Sequence, residues 1–267
     1  MSIAIAGARP ASTVSPAAPL RAAAAAVTRT VDRSTVSEPV ALARGRFANT
    51  VAVAGLAGFA GIFGLVRARR SEAVDLALML KLQRQRNPIV DRAMAAASWV
   101  GFPPQSRIVP PALMAGMWLT RLRTEAVFQL LAWGTGFLST ILKTIMRRPR
   151  PVGGTDLRVV TAPLGGSSFP SGHVITYVGT YGFLAYLVHT KLRRRAGRRP
   201  IVAALLAMVA LVGPSRIHQG HHWPTDVTAS YLLGTSYLIG LIAVYRRVKG
   251  ARTPEAPPEA ARAADAA

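Results

Sequence analysis

An all-α bundle that crosses a membrane six times is the fold class the sequence predicts, on three observations. Of 267 residues, 51% are hydrophobic and only 16% charged, and the mean hydropathy is +0.29. The apolar residues gather in charge-free runs close to the roughly 17–25 residues that a spanning helix needs. The cations, 33 Lys and Arg against 11 Asp and Glu, cluster between those runs and give a formal net charge of +22. That is the pattern of membrane-protein loops. A soluble nucleic-acid binder of this charge would carry more charged residues and fewer apolar ones. The absence of cysteine excludes disulfides, cysteine nucleophiles, thiolate metal sites and iron–sulfur clusters.

Three segments follow in order: a tail over 1–45, a membrane domain over 46–250 and a second tail over 251–267. The first tail is rich in Ala, Ser, Thr, Pro and Arg, with Asp32 and Glu38 as its acids. It reads as mobile. Its Arg-rich, acid-poor composition also suits a targeting peptide, although no long apolar stretch near Met1 suggests a secretory signal. Within the domain, Ala48–Val66, Ala126–Leu142, Val174–Thr190, Ile201–Ser215 and Val227–Tyr245 are free of Asp, Glu, Lys and Arg. A sixth span falls within Ala93–Thr120, which Arg107 interrupts and Pro110 and Pro111 disturb. Ser71–Arg86 mixes leucines with Asp75, Lys81 and Arg84 and predicts an amphipathic helix at the membrane surface.

Six spans place three basic blocks on one side: Arg121 with Arg123, Lys191–Arg199, and Arg246–Arg252. The positive-inside rule makes that side cytoplasmic. Arg67, Arg69 and Arg70 then fall outside, against the rule. Two extracytoplasmic loops, near 143–173 and 215–226, hold nearly all the chemistry.

The first cluster runs from Lys143 to Arg150 and Pro151. Seven residues separate the two cations, two turns of a continuing helix, so both can face one phosphate. Headgroup snorkelling accounts for them equally well. The second cluster is Pro170-Ser171-Gly172-His173 at the start of a span. Ser171 suits an N-cap. Beyond a capped helix start, the site offers backbone N–H groups to an anion, with His173 beside it as a proton donor. The third cluster is Ser215-Arg216, then His218, His221, His222 and Asp226. Three close histidines suggest a metal, but Asp226 is the sole acid between Asp156 and Glu255, so a metal site is not expected. His222 and Asp226 are one turn apart, so the carboxylate could fix the imidazole tautomer. Equally, Asp226 could cap the helix and His222 lie at the interface.

Together, Lys143-x6-Arg150-Pro151, Pro170-Ser171-Gly172-His173 and Ser215-Arg216-x5-His222-x3-Asp226 resemble all three signature motifs of the type 2 phosphatidic acid phosphatase superfamily, over roughly 48–250. The resemblance implies a six-helix membrane enzyme with an extracytoplasmic site and neither metal nor cofactor. It implies His222 as a nucleophile forming phosphohistidine, Asp226 as its orienting partner, and His173 as general acid and then base. Lys143, Arg150, Ser171, Gly172 and Arg216 would hold the phosphate. Three cations and a helix start can neutralise the charge of phosphoryl transfer without magnesium. His218 and His221 fall off the motifs, and Arg147 and Arg148 are expected at lipid headgroups. The expected substrate is a lipid phosphate or diphosphate (phosphatidic acid, phosphatidylglycerol phosphate or polyprenyl diphosphate) in the plasma membrane, the inner membrane of a bacterium. Two alternatives remain: a phosphotransferase with another acceptor, and a catalytically silent lipid-binding protein.

Overall fold

The computed structural model describes residues 38–84, 87–151, 157–158, 165–192 and 195–251. The remaining parts of both expected tails lie outside the described residues. Helix α1 is Glu38–Arg67, α2 Glu72–Gln83, α3 Pro88–Trp99, α4 Gln105–Leu119, α5 Arg123–Trp133 and α6 Thr135–Met146. Then come α7 Gly172–Lys191, α8 Arg195–His218 and α9 Pro224–Ala251. The described residues are otherwise turns and loops, so the fold is all-α.

Four stretches are long and apolar enough to cross a membrane: Gly45–Arg67, Arg123–Met146, Ala196–His218 and Pro224–Gly250. The second joins α5 and α6 across Gly134. The chain is therefore an integral membrane protein. The other two expected spans differ in character. The stretch 93–120 is broken into α3 and α4 by the turn through Gly101 and Phe102. Helix α7 is continuous but sits at the centre, packed on α5, α6, α8 and α9. A helix enclosed by protein need not be uniformly apolar, and α7 carries Tyr177, Thr180 and Tyr181 on buried positions.

Two apolar layers hold α7 in place. Toward its start, Val174, Tyr177 and Val178 meet Val212 of α8, Val227 of α9 and Met79 of α2. Toward its end, Phe183 and Leu187 meet Phe128 of α5 and Tyr245 of α9. Beyond this second layer, Glu125 is buried and accepts from Lys191 Nζ, Lys249 Nζ and Tyr245 Oη, each at 2.8 Å. This hub ties α5, α7 and α9 together and gathers their basic flanks at one end of the bundle. The end of α1, with Arg67 and Arg69, lies at the other end.

Helix α2 corrects the expectation of a surface helix. Its buried positions are Asp75, Met79 and Gln83, with Ser71 just before them, spaced four apart so that they form one stripe. Leu76, Leu78, Leu80 and Leu82 point outward instead. Gln83 donates to the carbonyls of Ile217 and His218, and Asp75 accepts from the Thr225 backbone at 2.8 Å. The polar stripe thus clamps the turn between α8 and α9, because that turn has unpaired backbone groups to satisfy.

Candidate active site

Three chain segments converge at the start of α7. The first leaves α6. Arg147 adopts a left-handed conformation (φ 49°) and ends that helix, so the expected helical continuation from Lys143 to Arg150 does not occur. Arg150 reaches the site from an extended stretch instead. Hydrogen bonds between Ser168 and Arg148 (N to O, 2.9 Å) and from Ser168 Oγ to the Pro149 carbonyl (3.1 Å) fix that stretch.

Arg150 donates to the carbonyls of His221 (2.8 Å), Gly165 (3.2 Å) and Ser167 (3.3 Å), and its NH1 lies 3.3 Å from His222 Nε2. The guanidinium is therefore pre-positioned by backbone rather than by a carboxylate. Lys143 stays on α6 and approaches from the other side. A Cβ on Gly172 would lie 3.7 Å from Lys143 Nζ and 3.4 Å from Ser139 Oγ.

The helix start is also as expected in position. Ser171 occupies the N-cap of α7, but its side chain makes no capping bond. Its backbone N–H donates to Ser230 Oγ at 2.7 Å, and its buried Oγ has no hydrogen-bond partner among the described residues. The first N–H groups of any helix lack intrahelical acceptors, so this end is available to an anion. Ser139 Oγ is likewise buried and unpartnered.

His173 follows in the first turn. Its ring lies 4.8 Å from that of Phe102, edge-on, and its Nε2 is buried without a partner among the described residues. Gly101 approaches so closely that a Cβ there would clash with the His173 ring.

The third segment supplies Arg216, His221, His222 and Asp226. Arg216 is fully buried. It donates to Gln219 Oε1 at 2.9 Å, pairs with His221 Nδ1 and stacks over Phe102 at 4.8 Å. His222 Nδ1 lies 2.8 Å from the Ser168 carbonyl. A carbonyl only accepts, so Nδ1 carries the proton and Nε2 keeps its lone pair. Burial pushes the His222 imidazole down to about 4, against the pull of Asp226 and with help from Arg150 and Arg216. His221 is pushed down to about 3, again by burial first and then by Arg216. Both rings are neutral at neutral pH.

Asp226 is placed beside His222, but the partnership is looser than expected. Its Oδ2 is 3.6 Å from His222 Nδ1, beyond a hydrogen bond. That oxygen instead accepts from the Trp223 backbone N–H at 2.9 Å. This is half of a capping box at the start of α9, where Pro224 holds the first helical position. The capping reading of Asp226 therefore holds, whereas the His222 tautomer is set by the Ser168 carbonyl and Asp226 is left as a nearby charge.

The expectation for Arg148 is corrected outright. It is buried, not at headgroups. It donates to Asp226 Oδ1 and to Asp75 Oδ2, both at 2.6 Å, and to Thr225 Oγ1 at 2.8 Å. Arg147 remains exposed. With Arg67, Arg69, Arg148 and Arg150 it lines a groove of about 540 Å³ beside the site.

His218 is drawn away, pairing with Asp91 at 2.6 Å. Among the described residues, no group of three His, Asp or Glu side chains is arranged to hold a metal ion.

All eight residues singled out in the sequence thus gather around the start of α7. Asp75, Arg148, Ser168 and Gln219 join them unannounced. The one available signal was scarcity. In so basic a chain, Asp75, Asp91, Glu125 and Asp226 are all paired with cations or histidine.

Residues 125–249 match the PAP2 superfamily. The chain is 31% identical over 156 residues to phosphatidylglycerophosphatase B of Bacillus subtilis strain 168, covering 56% of this chain and 72% of that one. Two crystal structures are also similar. One is described as the first transmembrane PAP2 type phosphatidylglycerolphosphate phosphatase from Bacillus subtilis. It has a TM-score of 0.66 at 23% identity, covering 76% of this chain and 98% of that chain, and shows the fold. The other, Aquifex aeolicus LpxE, has a TM-score of 0.50 at 25% identity, covering 63% of this chain and 94% of that chain. A buried imidazole, cations and a helix start meeting at one point, in a chain with these relatives, place it: it belongs to the PAP2 superfamily and is an enzyme of the phosphatase class.

Proposed function

We propose that the chain hydrolyses the terminal phosphate of a membrane lipid phosphate or diphosphate through a phosphohistidine on His222. The site would lie on the extracytoplasmic face of a six-span bundle, with α3 and α4 together counted as one span. The observation that carries the reading is the His222 tautomer. With Nδ1 donating to the Ser168 carbonyl, Nε2 presents its lone pair 3.3 Å from the Arg150 guanidinium. That is the state and place a nucleophile toward a clamped phosphorus needs.

In the first step Nε2 forms a bond to phosphorus while the bond to the lipid oxygen breaks. His173 gives that oxygen its proton. In the second step His173 takes a proton from water, whose oxygen attacks phosphorus, and the P–N bond breaks. Arg150, Arg216, Lys143 and the first N–H groups of α7 hold the equatorial oxygens throughout. Asp226 stabilises the imidazolium-like charge on His222 across 3.6 Å. These groups neutralise the transferred phosphoryl charge with cations alone, so we propose that no metal takes part. The name of the Bacillus relative makes phosphatidylglycerophosphate the first substrate to try.

The experiment is rapid trapping in alkaline detergent, in which the P–N bond of a phosphohistidine survives. Purified protein given a lipid labelled in its terminal phosphate should yield a covalently labelled, acid-labile species, and His222→Ala should yield neither that species nor turnover. Turnover of no lipid phosphate by the wild-type protein, or labelling that survives in His222→Ala, overturns the reading.

A further inference from the structure

A cavity of about 300 Å³ runs beside His173, bounded by the α3–α4 turn, α5 and the first turns of α7. Gly172 and His173 lie at one part of its wall, and Trp133, Thr180 and Tyr181 line it further along α7. Nine residues separate Gly172 from Tyr181, so the cavity extends on the order of 13 Å along the helix. Its lining is apolar, aromatic or hydroxylated, with one exception. Arg107 is the only Lys, Arg, Asp or Glu on its wall.

Arg107 is also the only charged residue of α4, a helix otherwise of the composition of a span. Its guanidinium makes no ion pair with any described residue. Asp75, Asp91, Glu125 and Asp226 are all committed to other cations or to histidine. Arg107 is exposed, in the first turn of α4 at the mouth of the cavity, where its long side chain can reach an anion inside. The start of α4 that carries Arg107 is held beside the site, because the preceding turn packs Gly101 and Phe102 onto the His173 ring.

We propose that Arg107 recognises a second, non-scissile phosphate in the leaving group of the substrate. The inference rests on the reading above, in which His173 meets the leaving oxygen. The alcohol on that oxygen then continues past His173 into this cavity. A diacylglycerol leaving group brings no charge to Arg107. A leaving group whose glycerol carries a phosphodiester brings an anion with two free oxygens, which a guanidinium fork can bind bidentately. The preferred class is therefore phosphomonoesters of an alcohol that is itself an anionic phospholipid, over phosphatidic acid.

The test has a binding arm and a turnover arm, both on the full-length protein in phosphatidylcholine nanodiscs. In the first, labelled phosphatidylglycerol and labelled diacylglycerol, the two leaving alcohols, are titrated onto the wild type, Arg107→Gln and Arg107→Lys. The wild type should bind phosphatidylglycerol more tightly, Arg107→Gln should lose about 10- to 100-fold of that preference, as expected for bonds to a charged group, and Arg107→Lys should recover part. In the second, the ratio of kcat/KM for phosphatidylglycerophosphate over phosphatidic acid should fall by a similar factor in Arg107→Gln, mainly through KM. A preference unchanged in Arg107→Gln, in either arm, means that Arg107 only reaches to the headgroups, and the proposal falls. Equal loss on both ligands marks a general structural effect and also overturns it. Failure of the wild type to turn over either lipid would sink the phosphatase reading, while the binding arm would still decide on Arg107.

Discussion

Arg148 donates to Asp226 Oδ1 at 2.6 Å, and Asp226 Oδ2 in turn lies 3.6 Å from His222 Nδ1. The same guanidinium holds Asp75 of α2 at 2.6 Å. One buried cation therefore couples the docked helix α2 to the carboxylate behind the proposed nucleophile. Removing one partner of such a network leaves the others buried and uncompensated, at a cost of about 3–5 kcal/mol. Arg148→Ala should lower the thermal midpoint in detergent strongly. Arg148→Lys, which cannot bridge two carboxylates with a planar fork, should fall between. Asp75→Asn should destabilise with a smaller loss of kcat than Arg148→Ala, since it leaves the contact to Asp226 in place. A wild-type midpoint for Arg148→Ala would show that the network contributes nothing.

The looser contact of Asp226 predicts a milder phenotype than in a hydrolase triad. There the carboxylate alone fixes the tautomer, and its amide replacement costs about 10⁴ in kcat. Here the Ser168 carbonyl fixes it. Asp226→Asn should keep the tautomer and lose the charge stabilisation of His222, about 10–10²-fold in kcat, together with the stability contributed by its ion pair with Arg148. Steady-state kinetics on the purified variant checks this, and a loss as large as a triad's would assign the tautomer to Asp226.

The sequence displayed the site better than the scaffold that holds it. Lys143, Arg150, Ser171, Gly172, His173, Arg216, His222 and Asp226 were legible because phosphate chemistry demands particular residue types at fixed spacing. The role of Arg148 was not, because a cation two residues from Arg150 at a membrane boundary looks the same whether it faces lipid or a buried carboxylate. What decides is Asp75, 73 positions away, and no local pattern reports it. Helix α2 misled for a related reason. Its mixture of leucines with Asp75, Lys81 and Arg84 suggested a helix at the membrane surface, and no local pattern shows that Asp75 and Gln83 turn inward onto the turn between α8 and α9. The disturbance expected at Pro110 and Pro111 falls inside α4, which runs through both, whereas the break lies earlier, in the turn that packs Gly101 on His173.

The two depressed histidines predict how stability responds to acid. Unfolded, His221 and His222 titrate near the ordinary 6.5; folded, they titrate at about 3 and about 4. Between those values the unfolded chain binds protons that the folded chain does not. Their contribution is fully present above about 6.5 and is lost as pH falls toward 4 and below. The thermal midpoint should decline steadily over that window, and His221→Asn should make the decline shallower. A midpoint flat across the window, or an unchanged slope in His221→Asn, would contradict the burial of these rings.

The proposed orientation, with the site outside the cytoplasm, predicts opposite labelling of the two ends of the bundle. The Glu125 hub collects Lys191 and Lys249 at one end, while Ala68 stands with the site at the other. The chain has no cysteine, so single cysteines report cleanly. Ala68→Cys should react with an impermeant maleimide in intact cells, and Ala196→Cys, exposed at the start of α8, only after permeabilisation. The opposite pattern would reverse the topology.

The last prediction separates the roles of the two histidines at the site. His222 Nε2 faces the Arg150 clamp, whereas His173 Nε2 is buried beside Phe102 and the cavity that would receive the lipid. If His173 protonates the leaving oxygen, its value depends on how poor that leaving group is. A lipid alkoxide needs the proton; a diphosphate or an aryl phosphate leaves with little help. General acid–base assistance is worth about 10²–10⁴-fold, so His173→Ala should slow an alkyl phosphomonoester by a factor in that range and an aryl phosphate far less. Phosphoenzyme should then accumulate with the aryl substrate, because the second step still lacks the base that activates water. His222→Ala should abolish turnover of both substrates and form no phosphoenzyme. Rapid-quench measurements with the two labelled substrates read these outcomes directly. Equal sensitivity of both substrates to His173→Ala, with no accumulated phosphoenzyme, would remove His173 from proton transfer and leave it a packing residue against Phe102.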